Sequence, residues 1–368
     1  MTELLELDTV TVRGTPRELG RGVGEAFRAR VRAFVDMRYA ALASYFADRG
    51  HGGESAQVLA VGETSFGLFE AWDPAGHAEQ CGIAEGAGVD PLRLFTAANM
   101  TDFRDAVLLS APSGPPMAKV NDPIDQGCSS VMVPGSHTSS GEALVGQTWD
   151  LNPPDVAFVV AIKREPTEGP ATWGVTVTGC LTLMGLNAHG LTVGTTNIKT
   201  YGSRPGVGYL SILHRAVRAK TAPEAKAVVA GAPHSGAHTY WIADAREQLE
   251  WEASPNGTFL RETTEGPVWR TNHVLAETHQ AIEGERPGES SEARFARLGE
   301  LLGSSGQDRG TLTAVFSDRS RGVHSINRYE EDDQGTATNA VFIASPAEAK
   351  AWACRGPADR GKWIELAF

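Results

Sequence analysis

Hydrophobic and polar positions change their rhythm once along this chain, and the change divides it in two. The opening "TVTVRG" alternates like a strand, and "TPRELGRGVGEAFRARVRAFVDMRYAALASYF" then carries apolar residues at Val23, Phe27, Val31, Phe34, Val35 and Met37, close to helical spacing. Thr15 as cap, Pro16 in the first turn and Glu18 three residues after the cap mark a helix start, so the stretch predicts one long amphipathic helix. "AQVLAVGETSFGLFEAW" and "HAEQCGIAEGAGVDPLRLFTAANMTDF" continue the helical texture with Gly-rich joints.

"SAPSGPPMAKVNDPIDQG" concentrates Pro, Gly, Ser and Asp, the composition of an exposed connection. A connection of that length inside a compact protein is often functional. Beyond it come "SSVMVP", "ALVGQTWDL", "AFVVAIKRE", "WGVTVTG" and "GLTVGTTNI", short runs rich in Val, Thr, Ile and Trp that predict antiparallel strands. "YLSILHRAVRAKTAPEAKAVVAG" is helical, "AHTYWIADAREQLEWEAS" a hairpin, "SSEARFARLGELLGS" a capped helix, and "NAVFIASPAEAKAWACRG" two strands around a turn. "GLNAHG" reads as a tight hairpin turn formed by Asn187 and Gly190. Runs of strands and helices in this order predict an α+β layered fold.

Charge narrows the partners. The net charge of -12 with no Lys/Arg run disfavours nucleic acid and anionic membranes. "MTELLELDTV" lacks the positive charge and apolar run of a secretory signal, and no long apolar span occurs, which predicts a soluble cytoplasmic protein. Cys81, Cys128, Cys180 and Cys354 are far apart without CxxC spacing, so neither a disulfide framework nor a thiolate metal site is expected. His234 and His238 in "HSGAH" sit among Pro and Gly with no intervening Glu, and "GSRPGVG" lacks the dinucleotide fingerprint. No metal and no cofactor is expected.

Cys128 stands behind Gly127 at the point where the rhythm changes. Cleavage of the Gly127-Cys128 bond would place a thiol and an α-amine of pKa about 7.7 to 8.0 on one residue, nucleophile and base together. Glycine before the cut tolerates strained backbone and lets the thiol approach its carbonyl. Taken alone, Cys128 reads first as a buried inert thiol, and the surrounding motifs reverse that reading.

The ordered pieces "GTPRELGRGVGEAFR", "CGIAEGAG", "DQGCSS", "GQTWDL", "GLNAHGLTVGTTN", "TNH" and "SINRY" span most of the chain. In that order they resemble the acyl-coenzyme A:6-aminopenicillanate (isopenicillin N) acyltransferase family of N-terminal-nucleophile hydrolases. The resemblance implies a four-layer αββα sandwich and self-cleavage into a helical leading chain, 1–127, and a catalytic chain, 128–368, that stay associated. It implies Cys128 as nucleophile, Asp150 of "GQTWD" beside the new amine, Asn272 of "TNH" at the oxyanion-stabilising position and Arg328 of "SINRY" near the nucleophile. Ser130 and Asn197 are further candidates for lining the oxyanion or substrate position. The alternative readings are that Asp150 is a local cap, Asn272 an ordinary loop amide and Arg328, beside "YEEDD", a surface-pairing residue.

The chain departs from the family where Ser129 stands for Thr, Thr148 for Asn and Asn327 for Cys. The last two are expected to alter the substrate pocket. The expected activity is cleavage or formation of an amide bond in a small N-acylated molecule through a Cys thioester, and the absence of a basic cluster tilts this toward hydrolysis. The alternatives are an acyl-CoA-dependent N-acyltransferase of a β-lactam or other secondary-metabolite amine, a papain-like peptidase pairing Cys128 with His273, and an inactive binding or assembly protein. A small amide is the expected partner, and a homo-oligomer is compatible with the sequence.

Overall fold

A computed structural model describes residues 4–47, 54–117, 127–261 and 266–368. The leading segment contains strand β1 (Asp8–Gly14) and helices α1 (Pro16–Ala26), α2 (Arg28–Ala47), α3 (Glu54–Trp72), α4 (Pro74–Ala87), α5 (Pro91–Ala98) and α6 (Met100–Leu108). Strands β2 (Gly127–Val133), β3 (Leu144–Leu151), β4 (Val159–Pro166), β5 (Thr172–Val177), β6 (Met184–Asn187) and β7 (Thr192–Asn197) follow, then helices α7 (Tyr209–Ala216) and α8 (Ala222–Ala230). The chain continues through β8 (His238–Ala243), β9 (Gln248–Ser254), β10 (Gly257–Arg261), β11 (Val268–Arg270), α9 (Glu277–Gln280), α10 (Glu289–Leu302) and α11 (Arg309–Phe316). It ends in β12 (Ala337–Ser345), β13 (Lys350–Arg355) and β14 (Ile364–Leu366).

Two sheets form the centre, one ordered β1-β4-β5-β6-β7-β8-β9-β10 and the other β11-β2-β3-β12-β13-β14. They face each other where β2 meets β7, while α7 and α8 cover the larger sheet and α10 and α11 the smaller. The result is the α+β sandwich of four layers, αββα. Gln147 of β3 ties the sheets together: its Oε1 accepts from Thr195 N at 2.9 Å and from Trp241 Nε1 at 2.7 Å. Val131, Val133, Leu298, Leu312, Phe316 and Val341 form a separate core between the smaller sheet and its helices.

Three local expectations need correction. The predicted long helix breaks at Phe27, whose φ of -116° ends α1, so that α1 can lie against α4 while α2 packs against α5. The capping box survives, with Thr15 N donating to Glu18 Oε2 at 2.8 Å. Secondly, β1 pairs with β4 in parallel rather than antiparallel. The two are joined through the whole helical segment, and only a long crossover permits parallel pairing. The leading segment is therefore not purely helical, since it supplies an edge strand to the larger sheet. Thirdly, α10 begins at Glu289 behind Gly288 without a side-chain cap. Its serine Ser291 is used in tertiary contacts instead.

The contact between α1 and α4 explains the leading-segment motifs. Gly20 and Gly24 of α1 lie directly on Gly82 and Gly86 of α4. A Cβ on Gly24 would stand 2.1 Å from Ile83 O, and one on Gly86 2.3 Å from Arg21 O. Neither backbone can retreat from the other, so only glycine permits this approach.

Half of the predicted interdomain connection, Ala118 to Gln126, lies outside the described residues. The stretch before it is anchored to the catalytic segment: Gly202 N donates to Ala111 O at 2.7 Å, and Tyr201 Oη to Pro115 O at 2.8 Å. Among the described residues no helix is long and apolar enough to cross a membrane.

Candidate active site

Cys128 is the second residue of β2, with Gly127 opposite Asp150 of β3 in the ladder. An extended strand puts alternate side chains on opposite faces, and the Cys128 side chain belongs to the inter-sheet core, 3% exposed. Gly127 is buried too, so the peptide expected to be cut lies inside the sandwich.

Both backbone groups of Cys128 are gripped by side chains. Its N–H donates to Asn272 Oδ1 at 2.8 Å, and its carbonyl accepts from Arg294 Nη1 at 2.5 Å. The same Arg294 nitrogen donates to Ser129 Oγ at 2.9 Å, and Nη2 donates to Asn272 Oδ1 at 2.9 Å. Asn272 Nδ2 donates to the carbonyl of Asn197 at 3.0 Å. Two donors on one side and an acceptor on the other fix which way the Asn272 amide faces. Its oxygen addresses the Cys128 nitrogen, and one Nδ2 hydrogen remains free of Asn197.

The loop carrying Asn272 is held from both ends. Asn272 N donates to Ser291 Oγ at 2.9 Å, while Thr271 Oγ1 donates to Ser291 O at 3.0 Å. Beyond it, the buried carboxylate of Glu252 accepts from Arg270 Nη1 at 2.7 Å and Leu275 N at 2.6 Å, and lies 2.9 Å from His279 Nδ1. His273 turns Nδ1 to Ser291 Oγ at 2.9 Å. Burial, reinforced by the charges of Arg270 and Arg294, pushes the His273 imidazole down to about 4. It is engaged with the serine, with no contact that pairs it with the thiol.

Asp150 is fully buried, and burial raises its carboxyl to about 6 against the opposing charges of Arg294 and Arg328. The hydroxyls of Thr148 and Thr338 stand nearby and also oppose that rise. Even so, neither carboxylate oxygen makes a hydrogen bond of normal geometry among the described residues. Arg328 is 6% exposed and its Nε is likewise unpartnered. A Cβ on Gly127 would fall 2.3 Å from Arg328 Nη1 and 3.4 Å from Asp150 Oδ2. Glycine is thus needed here to admit the guanidinium, and the φ of Gly127 is not positive.

The thiol is held neutral. Burial, with the charge of Asp150, pushes Cys128 up to about 12, against the backbone amide of Asp150, the charge of Arg294 and the backbone amide of Asn197. In the uncut chain it is therefore a poor nucleophile toward outside molecules. Cys81, Cys180 and Cys354 have no comparable surroundings: burial raises all three, and Cys180 and Cys354 lie in the core.

Of the residues singled out in the sequence, Gly127, Cys128, Asp150, Asn197, Asn272 and Arg328 converge. Ser130 lies two residues further along β2, opposite Gln147 and Arg270. The departures at Thr148 and Asn327 are structural. Thr148 Oγ1 accepts from Ser129 N at 3.1 Å, and Asn327 anchors the turn at Ala358 and Asp359 with bonds of 3.0 and 2.7 Å. Arg294 was missed. Its signal was present, because it falls on the same helical stripe as Ser291, Leu298 and Leu302, a charge on an otherwise inward face.

Two sheets between helical layers, with Cys128 second in β2 and Asn272 and Arg294 converging on its backbone, are the fold and site of an enzyme that acts on amide bonds. The family profile of acyl-coenzyme A:6-aminopenicillanic acid acyl-transferase matches residues 137–360, more than half of the chain, and the protein belongs to this family. That match begins just after Cys128 and includes Asp150, Asn197, Asn272, Arg294 and Arg328. No curated protein matches the sequence. Among solved structures, a variant of conjugated bile acid hydrolase from Clostridium perfringens is similar over 65% of this chain and 92% of its own, with 13% identity and a TM-score of 0.45. Penicillin V acylase from Agrobacterium tumefaciens is similar over 65% of this chain and 86% of its own, with 10% identity and a TM-score of 0.34.

Proposed function

We propose that the chain cuts itself between Gly127 and Cys128 and then, through the exposed N-terminal cysteine, hydrolyses an amide bond of a small N-acylated molecule. The observation that carries this reading is the hold on the Cys128 backbone. Asn272 and Arg294, side chains from distant parts of the chain, bond its nitrogen and its carbonyl inside the sandwich beside the Asp150 carboxyl.

In the cut, Cys128 Sγ attacks the Gly127 carbonyl carbon and passes its proton to Asp150, whose raised pKa suits a base near neutrality. The C–N bond breaks as the nitrogen takes a proton, leaving Gly127 as a thioester on Cys128. Water hydrolyses that thioester to the Gly127 carboxylate and a free thiol. The new amine remains on Asn272 Oδ1.

In turnover the amine takes the thiol proton, the thiolate attacks the substrate carbonyl, and the free Nδ2 hydrogen of Asn272 supports the oxyanion. An aimed donor of that kind is typically worth roughly 3 to 4 kcal/mol. The leaving amine departs with the proton, and water releases the acid from the thioester. An amine in place of water would make the enzyme a transferase, and no basic cluster for an acyl-CoA donor is evident in the sequence.

The leading segment is retained after the cut because its contacts are buried. Arg38 pairs with Asp155 at 3.1 Å, Glu79 with Arg164 at 2.6 Å, and Asp102 with His238 at 2.6 Å. Intact mass of purified wild type beside Cys128→Ala tests the reading. Two chains, Met1 to Gly127 and Cys128 to Phe368, are expected from wild type and one whole chain from the variant. A wild type that stays whole while turning over an amide would overturn it.

A further inference from the structure

Strand β9, "QLEWEAS", alternates Leu249, Trp251 and Ala253 with Glu250, Glu252 and Ser254, a pattern that on an exposed hairpin would turn both acids to water. Here Glu250 and Glu252 are instead 1% and 0% exposed. Carboxylates are kept inside a protein only where donors meet them, so their partners show what the pair does.

Glu250 takes one side of a cation, its Oε1 accepting from Arg270 Nε at 2.6 Å. Glu252 gathers more. Its Oε1 accepts from Arg270 Nη1 at 2.7 Å, from Leu275 N at 2.6 Å and from Ala276 N at 3.2 Å. Arg270 stands two residues before Asn272 and Leu275 three after it, so a single oxygen closes both ends of the loop that carries the amide. Thr196 Oγ1 donates to Thr271 O at 3.0 Å, and Ser291 Oγ accepts from Asn272 N at 2.9 Å. Both of these act at or before Asn272, and Glu252 holds residues after it.

The other oxygen, Oε2, accepts from His279 Nδ1 at 2.9 Å, and His279 Nε2 lies 2.9 Å from Ser254 Oγ. Serine, histidine and acid in that order are the parts of a nucleophilic triad. Ser254 is only 3% exposed, however, and its Oγ already accepts from Asn256 N at 3.1 Å, so the hydroxyl is not presented to a substrate. Ser254 and His279 brace the carboxylate instead. Burial would raise the Glu252 carboxyl, but the bond from His279, the charge of Arg270 and the N–H groups of Leu275 and Ala276 hold it below its ordinary value. It therefore stays ionised and keeps its donors.

Asn272 has to keep Oδ1 on the Cys128 nitrogen at 2.8 Å and its free Nδ2 hydrogen aimed at the reacting carbonyl. Misplacing such a donor by an ångström costs catalysis heavily. We propose that Glu252 is a positioning residue for the amide-bond reaction. By closing the loop from Arg270 to Ala276 on one oxygen, it fixes Asn272 against the Cys128 nitrogen and sets its free N–H for the oxyanion. Glu252 acts through Asn272 and rests on the role given to that residue in turnover.

Hydrogen exchange of the amide at position 128 reads this hold directly, and Cys128→Ala allows it to be measured without a cut. Adding Glu252→Asp keeps the charge opposite Arg270 but withdraws the oxygen by one methylene. Exchange at position 128 is expected to quicken at least about tenfold, while β12 and β13 keep their parent rates. Ala276→Pro makes a second test that leaves Glu252 in place. The φ of -70° at Ala276 already suits proline, whose ring carbon would replace an N–H on Oε1 and push the carboxylate off the loop. The same local quickening is expected, and this variant decides if circular dichroism shows that Glu252→Asp does not fold. In self-cleaved enzyme, kcat per titrated thiol on an N-acyl aryl amide should fall at least about tenfold in either variant, with KM unchanged within about twofold. Unchanged exchange at position 128 in a folded variant overturns the proposal, as does quickening spread evenly over both sheets, the mark of a general loss of stability. A kcat within about twofold of wild type, or a rise in KM alone, also overturns it. If wild type does not cut itself, the self-cleavage reading falls, and the exchange measurement still decides the role of Glu252.

Discussion

Replacing Asp150 by Asn in a Cys128→Ala background isolates the energetic cost of the site in a chain that cannot cut itself. The carboxyl sits at about 6 when folded, against 3.8 for the unperturbed group, because burial disfavours its ionised form. Between those two values the unfolded chain has released the proton and the folded chain still holds it. Folding stability therefore declines as pH rises through that window. The favourable contribution of the neutral carboxyl is complete below 3.8 and gone above about 6. At 1.36 kcal/mol per unit, a shift of about two units corresponds to about 3 kcal/mol. Asparagine does not titrate, so the double variant should gain about 3 kcal/mol on the single variant between pH 4 and pH 7, whatever constant difference separates them. Urea denaturation at a series of pH values reads this as a midpoint difference that changes by on the order of 1 M. Parallel pH dependences for the two variants would show that Asp150 is not held protonated, and would remove the reason to make it the base of the cut.

Two further substitutions test the groups around the scissile bond. Gly127→Ala should slow self-cleavage at least about tenfold while leaving the fold intact, because its Cβ displaces the end of a flexible Arg328 side chain and not backbone. A time course of cleavage after refolding measures it, and wild-type kinetics would refute the requirement for Arg328 at this position. Arg294→Lys replaces a fork with a point charge and cannot keep the bonds to Cys128 O, Ser129 Oγ and Asn272 Oδ1 together. Fully cleaved enzyme should lose about a hundredfold in kcat on an N-acyl aryl amide, the equivalent of one charge-assisted hydrogen bond, and activity within twofold of wild type would remove Arg294 from the site.

The catalytic strands were legible because their alternating pattern and turn residues are local properties, and the candidate site was legible where residues sit in short ordered motifs. Gly127, Cys128 and Asp150 meet because adjacent strands place them opposite one another, a relation that follows once β2 and β3 pair. Arg294 was hidden differently. A single charge in "SSEARFARLGELL" looks like part of a solvated helix face, and only the stripe through Ser291, Leu298 and Leu302 reveals that it points inward. The glycines of "GRGVG" and "CGIAEGAG" were visible as motifs without a cause. The cause is a close approach of α1 and α4, which are separated in the sequence by α2 and α3, and no local reading contains it.

The distribution of buried charge shows why the leading segment belongs to the active structure. Asp102 of α6 reaches across the boundary, where its Oδ2 accepts from Tyr209 N at the start of α7 at 2.9 Å and its Oδ1 lies 2.6 Å from His238 Nε2. His238 is paired in the sheet with Asn197, whose carbonyl receives the Asn272 amide and whose own amide reaches the thiol. Removing Asp102 would strand a buried helix start and a buried imidazole together, a penalty far larger than an exposed ion pair could offset. Cutting one peptide bond at Gly127 leaves all of these contacts in place. The physical requirement for keeping both pieces after such a cut is therefore met by side chains that no motif around Cys128 includes.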